Sequence, residues 1–273
     1  MDADRVKAIV FDVGNTLWFQ ARSPDMAEIQ RLQGEPLLPL FAAWGVTLPC
    51  SMSEFVAAVV AAGDEMERVE KQRDTFREVD IPFLMRGALA VREVHITPEQ
   101  AREMWRASWI LERQFGVQLY PDALDVLREL KQAGLLVGIN TNRPCTGDMH
   151  LPGLRDMGIA PYADAVVCSG DTGYLKPHPS TFKLVLEKLA VAPHEAAMVG
   201  DLAEADMRGA KAVGMRTVWK LNGRYDPPPC PDADYQIHDL AELLALPLLD
   251  RGGRSSAPAE SLTPHDDGNA DRY

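Results

Sequence analysis

Apolar and polar positions change rhythm twice along the chain. Val6 to Phe11 is a short, β-branched apolar run that ends at Asp12-Val13-Gly14-Asn15, the pattern of a buried strand running into a loop. From about Ala21 to Gly116 the period becomes helical. Phe55, Val59, Ala62, Met66 and Val69 share one helical face, as do Ala101, Trp105, Ser108 and Trp109. Thr97-Pro98-Glu99-Gln100 has the form of a helix start, with Thr97 as N-cap, Pro98 in the first turn and Gln100 closing a capping box. No strand of comparable quality lies in this stretch. From Tyr120 onward strands and helices alternate: a helix over Pro121 to Ala133, a strand over Leu135 to Asn140 and a short strand over Ala165 to Cys168. A helix marked by Phe182, Val185, Leu186 and Leu189 follows. Then come a strand over Ala196 to Val199, a helix over Ala203 to Ala212, and a strand over Arg216 to Trp219. Tyr235 to Ile237 and Leu240 to Leu246 repeat the pair weakly.

Alternating units of this kind predict an α/β fold with a parallel sheet covered on both faces. The first strand joins that sheet, so the helical stretch is an insertion after it. The expected division is a core of residues 1–20 plus 118–248 and a helical cap of residues 21–117. A polar, disordered tail is expected over residues 249–273, where bulky apolar groups are nearly absent.

Composition narrows the function classes. Hydrophobic residues make up 46% of the 273, enough for a buried core, and the net charge of −12 argues against general binding to nucleic acid or to an anionic membrane. Cys50, Cys145, Cys168 and Cys230 form no CxxC pair and have no His cluster beside them, so neither a zinc site nor a disulfide framework is expected. The N-terminus lacks the layout of a signal peptide, and no apolar run approaches the roughly 18–20 residues of a membrane span. The expectation is a cytoplasmic protein with no membrane partner; oligomeric state is left open.

In an open parallel sheet ligands bind outside the carboxyl ends of the strands. Asp12, the pair Thr141-Asn142, Lys176 and Asp201 fall at four such ends, and Asp206 lies five residues past Asp201. Converging carboxylates need a cation, and an oxygen-rich site with room for water suits Mg2+. A Lys and a Thr on the same rim suit phosphate oxygens, and a carboxylate free to attack phosphorus would form an aspartyl-phosphate.

These residues stand in four motifs that together resemble the haloacid dehalogenase superfamily: FDVGNTL, INTN, SGDTGYLKPHPSTF and VGDLAEADMRGAKAVGM, in that order, spanning roughly Val6 to Ile237. The resemblance implies a Rossmann-like parallel-sheet core with an inserted all-helical cap domain of the C1 type. It implies an Mg2+-dependent phosphatase acting on a small phosphorylated metabolite. Asp12 would be the nucleophile; Asp12, the carbonyl of Gly14 and Asp201 would hold the metal, with Asp206 supporting it. Thr141, the Asn142 amide and Lys176 would hold the phosphoryl oxygens.

One position departs from the family pattern. Most phosphatases of this superfamily carry a second Asp two residues after the nucleophile as general acid and base, where this chain has Gly14. General acid-base catalysis is worth ~10²–10⁴-fold. The acid is therefore expected from the cap (His95 or a cap Glu) or from the substrate, or is unneeded with a good leaving group. The same glycine keeps open a 2-haloacid dehalogenase-like hydrolase, in which Asp attacks carbon without a metal, although that branch tends to lose the GD motif this chain keeps. It also keeps open a catalytically degenerate member that binds a phosphorylated ligand. Schiff-base phosphonate hydrolysis needs a cap lysine, and Lys71, the only one between Thr16 and Gln118, lies in a charged run. A phosphomutase would need the missing Asp. Arg143 reads as either a substrate contact or a surface ion pair. Cys145 and Cys168 read as packing, His178 as a helix start, Trp105 and Trp109 as cap core, and Asp64 to Glu78 as a solvated helix face.

Overall fold

The first apolar run is buried throughout because β1 (Ala8–Phe11) has a strand on each side and helices on both faces. The structure, a computed structural model, describes residues 5–223 and 228–249, with Lys71 described in its backbone only. Six strands form a parallel sheet in the order β5-β4-β1-β6-β7-β8. The remaining five are β4 (Leu136–Thr141), β5 (Ala165–Cys168), β6 (Ala196–Gly200), β7 (Arg216–Lys220) and β8 (Tyr235–Ile237). Phe11 pairs in register with Ile139 of β4 on one side and Val199 of β6 on the other. Side chains alternate along β1. Ile9 and Phe11 face a layer containing Val126, Leu127 and Leu130 of α6 (Ala123–Gln132), and Leu154 of α7 (Gly147–Asp156). Ala8 and Val10 face Phe182, Val185 and Leu189 of α9 (Pro179–Leu189) and Ala210 of α10 (Gly209–Ala212). Burial of both faces explains why the strand sequences read as continuous apolar runs.

Between β2 (Trp18–Gln20) and β3 (Val117–Leu119) the chain leaves the sheet and forms a helical insertion of α1 (Met26–Gly34), α2 (Leu38–Trp44), α3 (Met52–Gln72), α4 (Ile81–Ala90) and α5 (Pro98–Ala107). It has a core of its own, including Phe41, Phe55, Met85, Leu89 and Met104. The expected capping box at Thr97 is present. Thr97 Oγ1 accepts from Gln100 N at 3.1 Å, and Gln100 Oε1 accepts from Thr97 N at 2.8 Å. Among the described residues, no helix is long and apolar enough to cross a membrane.

The structure differs from the expected elements in several places. β2 and β3 pair antiparallel into a two-stranded ribbon where the insertion leaves and rejoins the core. Strands of three residues are too short to carry a period. Helix α3 stops at Gln72, so Arg77 and Glu78 are not on a helix face. The helix expected over Ala203 to Ala212 opens with a π-helical turn, Ala203–Arg208, before α10. The strand expected to end at Asn140 includes Thr141. A single helical turn, α8 (Ser169–Thr172), follows β5. Of the tail expected from residue 249, all but Leu249 lies outside the described residues.

The ribbon closes through Gly116, whose carbonyl accepts from the backbone N–H groups of Ala21 at 3.1 Å and Arg22 at 3.2 Å. Its φ is +79°, and a Cβ there would stand 2.2 Å from the Arg22 carbonyl oxygen. Gly116→Ala is therefore expected to lose at least about 1–2 kcal/mol of stability from the left-handed backbone alone. Urea denaturation checks this; an unchanged midpoint would contradict it.

Candidate active site

The connection from β1 runs to β4 on one side, and that from β6 runs to β7 on the other, so the sheet's switch point lies between the carboxyl ends of β1 and β6. Such crevices are where open α/β sheets bind ligands. Asp12 follows β1, with its backbone N–H donating to Val199 O at 2.9 Å, and Asp201 follows β6, with its carbonyl accepting from Trp219 Nε1 at 2.9 Å. Asp12, Gly14, Thr141, Asn142, Lys176 and Asp201 all line one cleft of about 370 Å³. Asp206 is buried beneath it, at 1% exposure.

Carboxylate oxygens of Asp12, Asp201 and Asp206 lie within 4.8 Å of one another. At an effective dielectric of about 20, two charges this close repel by roughly 3 kcal/mol or more. Lys176 offsets part of this. Its Nζ donates to Asp12 Oδ1 at 2.8 Å, Asp206 Oδ1 at 2.6 Å and the Asn140 carbonyl at 2.9 Å. Burial works against the charge on Lys176, but Asp12 and Asp206 outweigh it and hold the ammonium above the ordinary lysine range. Burial also pushes the Asp206 carboxyl up to about 6, against the pull of Lys176. Three acids against one base leave an excess of negative charge that a divalent cation would neutralise, and the all-oxygen donor set fits a hard ion such as Mg2+.

Local sequence explains each placement. Asp206 sits where the π-turn brings its Oδ2 to accept from Leu202 N at 3.0 Å. A Cβ on Gly200 would come within 2.3 Å of that same oxygen, so only glycine leaves room for it. The Asn142 side chain grips the Lys176 backbone, accepting from its N–H at 2.7 Å and donating to its carbonyl at 3.3 Å. Thr141, 3% exposed, ends β4 in register with Cys168. Asp12 Oδ2 lies on the Gly14 side, 3.9 Å from where a Gly14 Cβ would be, with space for a side chain.

Three supporting groups escaped sequence reasoning. The Asn15 carbonyl accepts from Asn222 Nδ2 at 2.8 Å and from Lys220 Nζ at 3.3 Å, which holds the loop after Asp12 in place. In a second group, Ser169 donates to Glu78, and the backbone of Glu78 donates to Gly173 O at 2.9 Å. The inserted segment is thereby stitched to the loop that carries Lys176. The third is a buried cluster of Glu112 and His150, with Oε1 and Nδ1 3.2 Å apart and Arg143 3.7 Å from the same carboxylate. The Arg143 guanidinium lies 5.5 Å from the Trp18 ring centroid and 5.9 Å from that of Trp109. Arg143 thus pairs with Glu112 and also lines the cleft, and Trp109 packs beside it. No spacing in the sequence links Glu112 to His150. Cys145 and Cys168 are buried and free, and His178 caps α9.

The haloacid dehalogenase-like hydrolase family matches this chain over residues 6–214. The chain belongs to that family. The helical insertion between β1 and β3 is consistent with its C1-type cap. The chain is 36% identical to the phosphoserine phosphatase of Thermus thermophilus over 160 residues, covering 59% of this chain and 63% of that protein. It is 36% identical to the phosphoglycolate phosphatase of Escherichia coli K12 over 138 residues, covering 48% and 53%. The chain thus spans roughly half to two thirds of the length of these curated relatives. A HAD phosphatase from Thermococcus onnurineus superposes with a TM-score of 0.50 at 25% identity, over 88% of this chain and 97% of that one. A 2-haloacid dehalogenase from Pseudomonas syringae superposes with a TM-score of 0.60 at 24% identity over the same shares, a likeness of fold alone.

Burial lowers the His150 pKa below its ordinary 6.5, against the pull of Glu112. A depressed histidine contributes stability that is present above the unfolded value and lost as pH falls through it. Asp206, raised, acts in the opposite sense, so the imidazole has to be isolated by substitution. Between pH 7.5 and 5.5 the wild type is expected to lose thermal stability relative to His150→Gln. Parallel melting curves across that range would contradict it.

Proposed function

We propose that this member of the family is an Mg2+-dependent phosphatase that hydrolyses a small phosphomonoester through an aspartyl-phosphate on Asp12. The observation that carries the reading is the buried trio of Asp12, Asp201 and Asp206 around Lys176, at the switch point of the sheet. Relatives named for phosphoserine and phosphoglycolate support a small phosphorylated metabolite as substrate.

In this reading Asp12, the Gly14 carbonyl and Asp201 hold Mg2+, and Asp206 supports them. When bound, the ion neutralises the carboxylates and the incoming phosphoryl oxygens. Lys176 fixes Asp12 through Oδ1 and sets its positive charge beside the phosphoryl oxygens, which the Thr141 hydroxyl and the Asn142 backbone amide bind. A carboxylate oxygen of Asp12 forms the new P–O bond as the ester P–O bond breaks and the leaving group departs with its electron pair. Water then attacks phosphorus, releasing inorganic phosphate and restoring the carboxylate.

Gly14 leaves the departing oxygen without the usual proton donor, a loss of about 10²–10⁴-fold on poor leaving groups. It is also the feature that favours a second reading, attack on carbon in a 2-haloacid. The carboxylate trio weighs against it, since that chemistry has no use for a metal.

Hydrolysis of p-nitrophenyl phosphate is expected to require Mg2+, to stop with chelator and to vanish in Asp12→Asn. Absence of turnover, with chloroacetate consumed instead, would favour the second reading. Gly14→Asp, for which there is space, is expected to accelerate alkyl phosphate hydrolysis by up to ~10²-fold while changing p-nitrophenyl phosphate little. Equal effects on both would show that the missing acid is not the limitation.

A further inference from the structure

A larger cavity, of about 830 Å³, opens beside the catalytic cleft between the helical insertion and the core. It falls within the ~300–1,000 Å³ of pockets that enclose drug-sized ligands. The cavity and the cleft share Asn142, Pro144, Lys176, Leu202 and Ala205, so a group bound through its phosphate at Asp12 can extend its remainder into this space.

The wall is apolar. Phe55, Val56, Val59, Met85 and Trp105 face it from α3, α4 and α5. Leu175, Pro177 and Leu202 face it from the core. Leu202 follows Asp201 directly and keeps 51% of its surface exposed, a large apolar side chain at the junction of cleft and cavity. The charged lining residues are Asp64, Glu67, Glu78 and Glu204 against a single base, Lys176, which is occupied by Asp12 and Asp206. Arg143 lines the cleft and not the cavity. A carboxylate or second phosphate on the substrate would therefore meet acids and no available cation among the described lining residues.

Resting on the phosphatase reading, we propose that the substrate is a phosphomonoester whose leaving group is an uncharged apolar body filling this cavity, and not a compact anionic metabolite. A substrate of this class gains affinity from each methylene it buries. It is rejected when its far end carries a negative charge, because burying an unpaired charge is costly.

para-Alkylphenyl phosphates test this, since lengthening the alkyl chain changes size at nearly constant leaving-group basicity. kcat/KM is expected to rise about two- to fourfold per methylene. A para-carboxyalkyl ester is expected to fall at least about tenfold below its methyl ester. Val60→Trp, at a half-buried wall position, is expected to flatten the series while sparing phenyl phosphate. A flat or falling series, or preference for the carboxylate, overturns the proposal while leaving the phosphatase reading intact. If no ester turns over, that reading fails. Calorimetric titration of Asp12→Asn with the same esters then decides this one: affinity rising with chain length supports it, and no binding or no trend overturns it.

Discussion

The structure is organised around a buried excess of negative charge. Asp12, Asp201 and Asp206 hold carboxylate oxygens within 4.8 Å of one another, and a single buried ammonium, Lys176, ties two of them together. Carboxylates crowded this way are mutually repulsive in a site that water hardly reaches. They persist because the scaffold imposes them. The parallel sheet places Asp12 and Asp201 on adjacent strand ends, and the π-turn after β6 folds Asp206 back beneath them over Gly200. A π-turn inserted into a helix is commonly a functional device, and here it sets the depth of one carboxylate.

The surrounding contacts keep that charge in one geometry. Asn142 clamps the Lys176 backbone, Lys220 and Asn222 hold the loop after Asp12, and Glu78 joins the insertion to the loop that leads to Lys176. The insertion is therefore more than a cover. It braces the loop that carries Lys176, and the cavity between it and the core opens beside the cleft that Asp12 lines.

Much of this was legible in the sequence. The parallel sheet followed from strand and helix alternation, and the four chemical clusters fell at strand ends, where this architecture brings them together. The motif places Lys176 on the rim, but its burial was not legible, because its partners are distant in sequence and meet only when the sheet forms. The β2–β3 ribbon is too short for periodicity. Glu78 reads as part of a solvated helix face because Ser169, which it meets, comes from another element, and no spacing joins Glu112 to His150. The break of α3 at Gln72 moved Glu78 from an expected helix face to the domain contact. The apolar cavity is a product of how the insertion sits on the core, and no single segment encodes it.

In the proposed function this charge arrangement lets Asp12 accept a phosphoryl group. Acid quenching during turnover of p-nitrophenyl phosphate with Mg2+, followed by peptide mass spectrometry, tests it directly. One phosphoryl group is expected on the peptide carrying Asp12, with conversion of that residue to homoserine by borohydride. Turnover with no label at Asp12, or with the label on another residue, would contradict it.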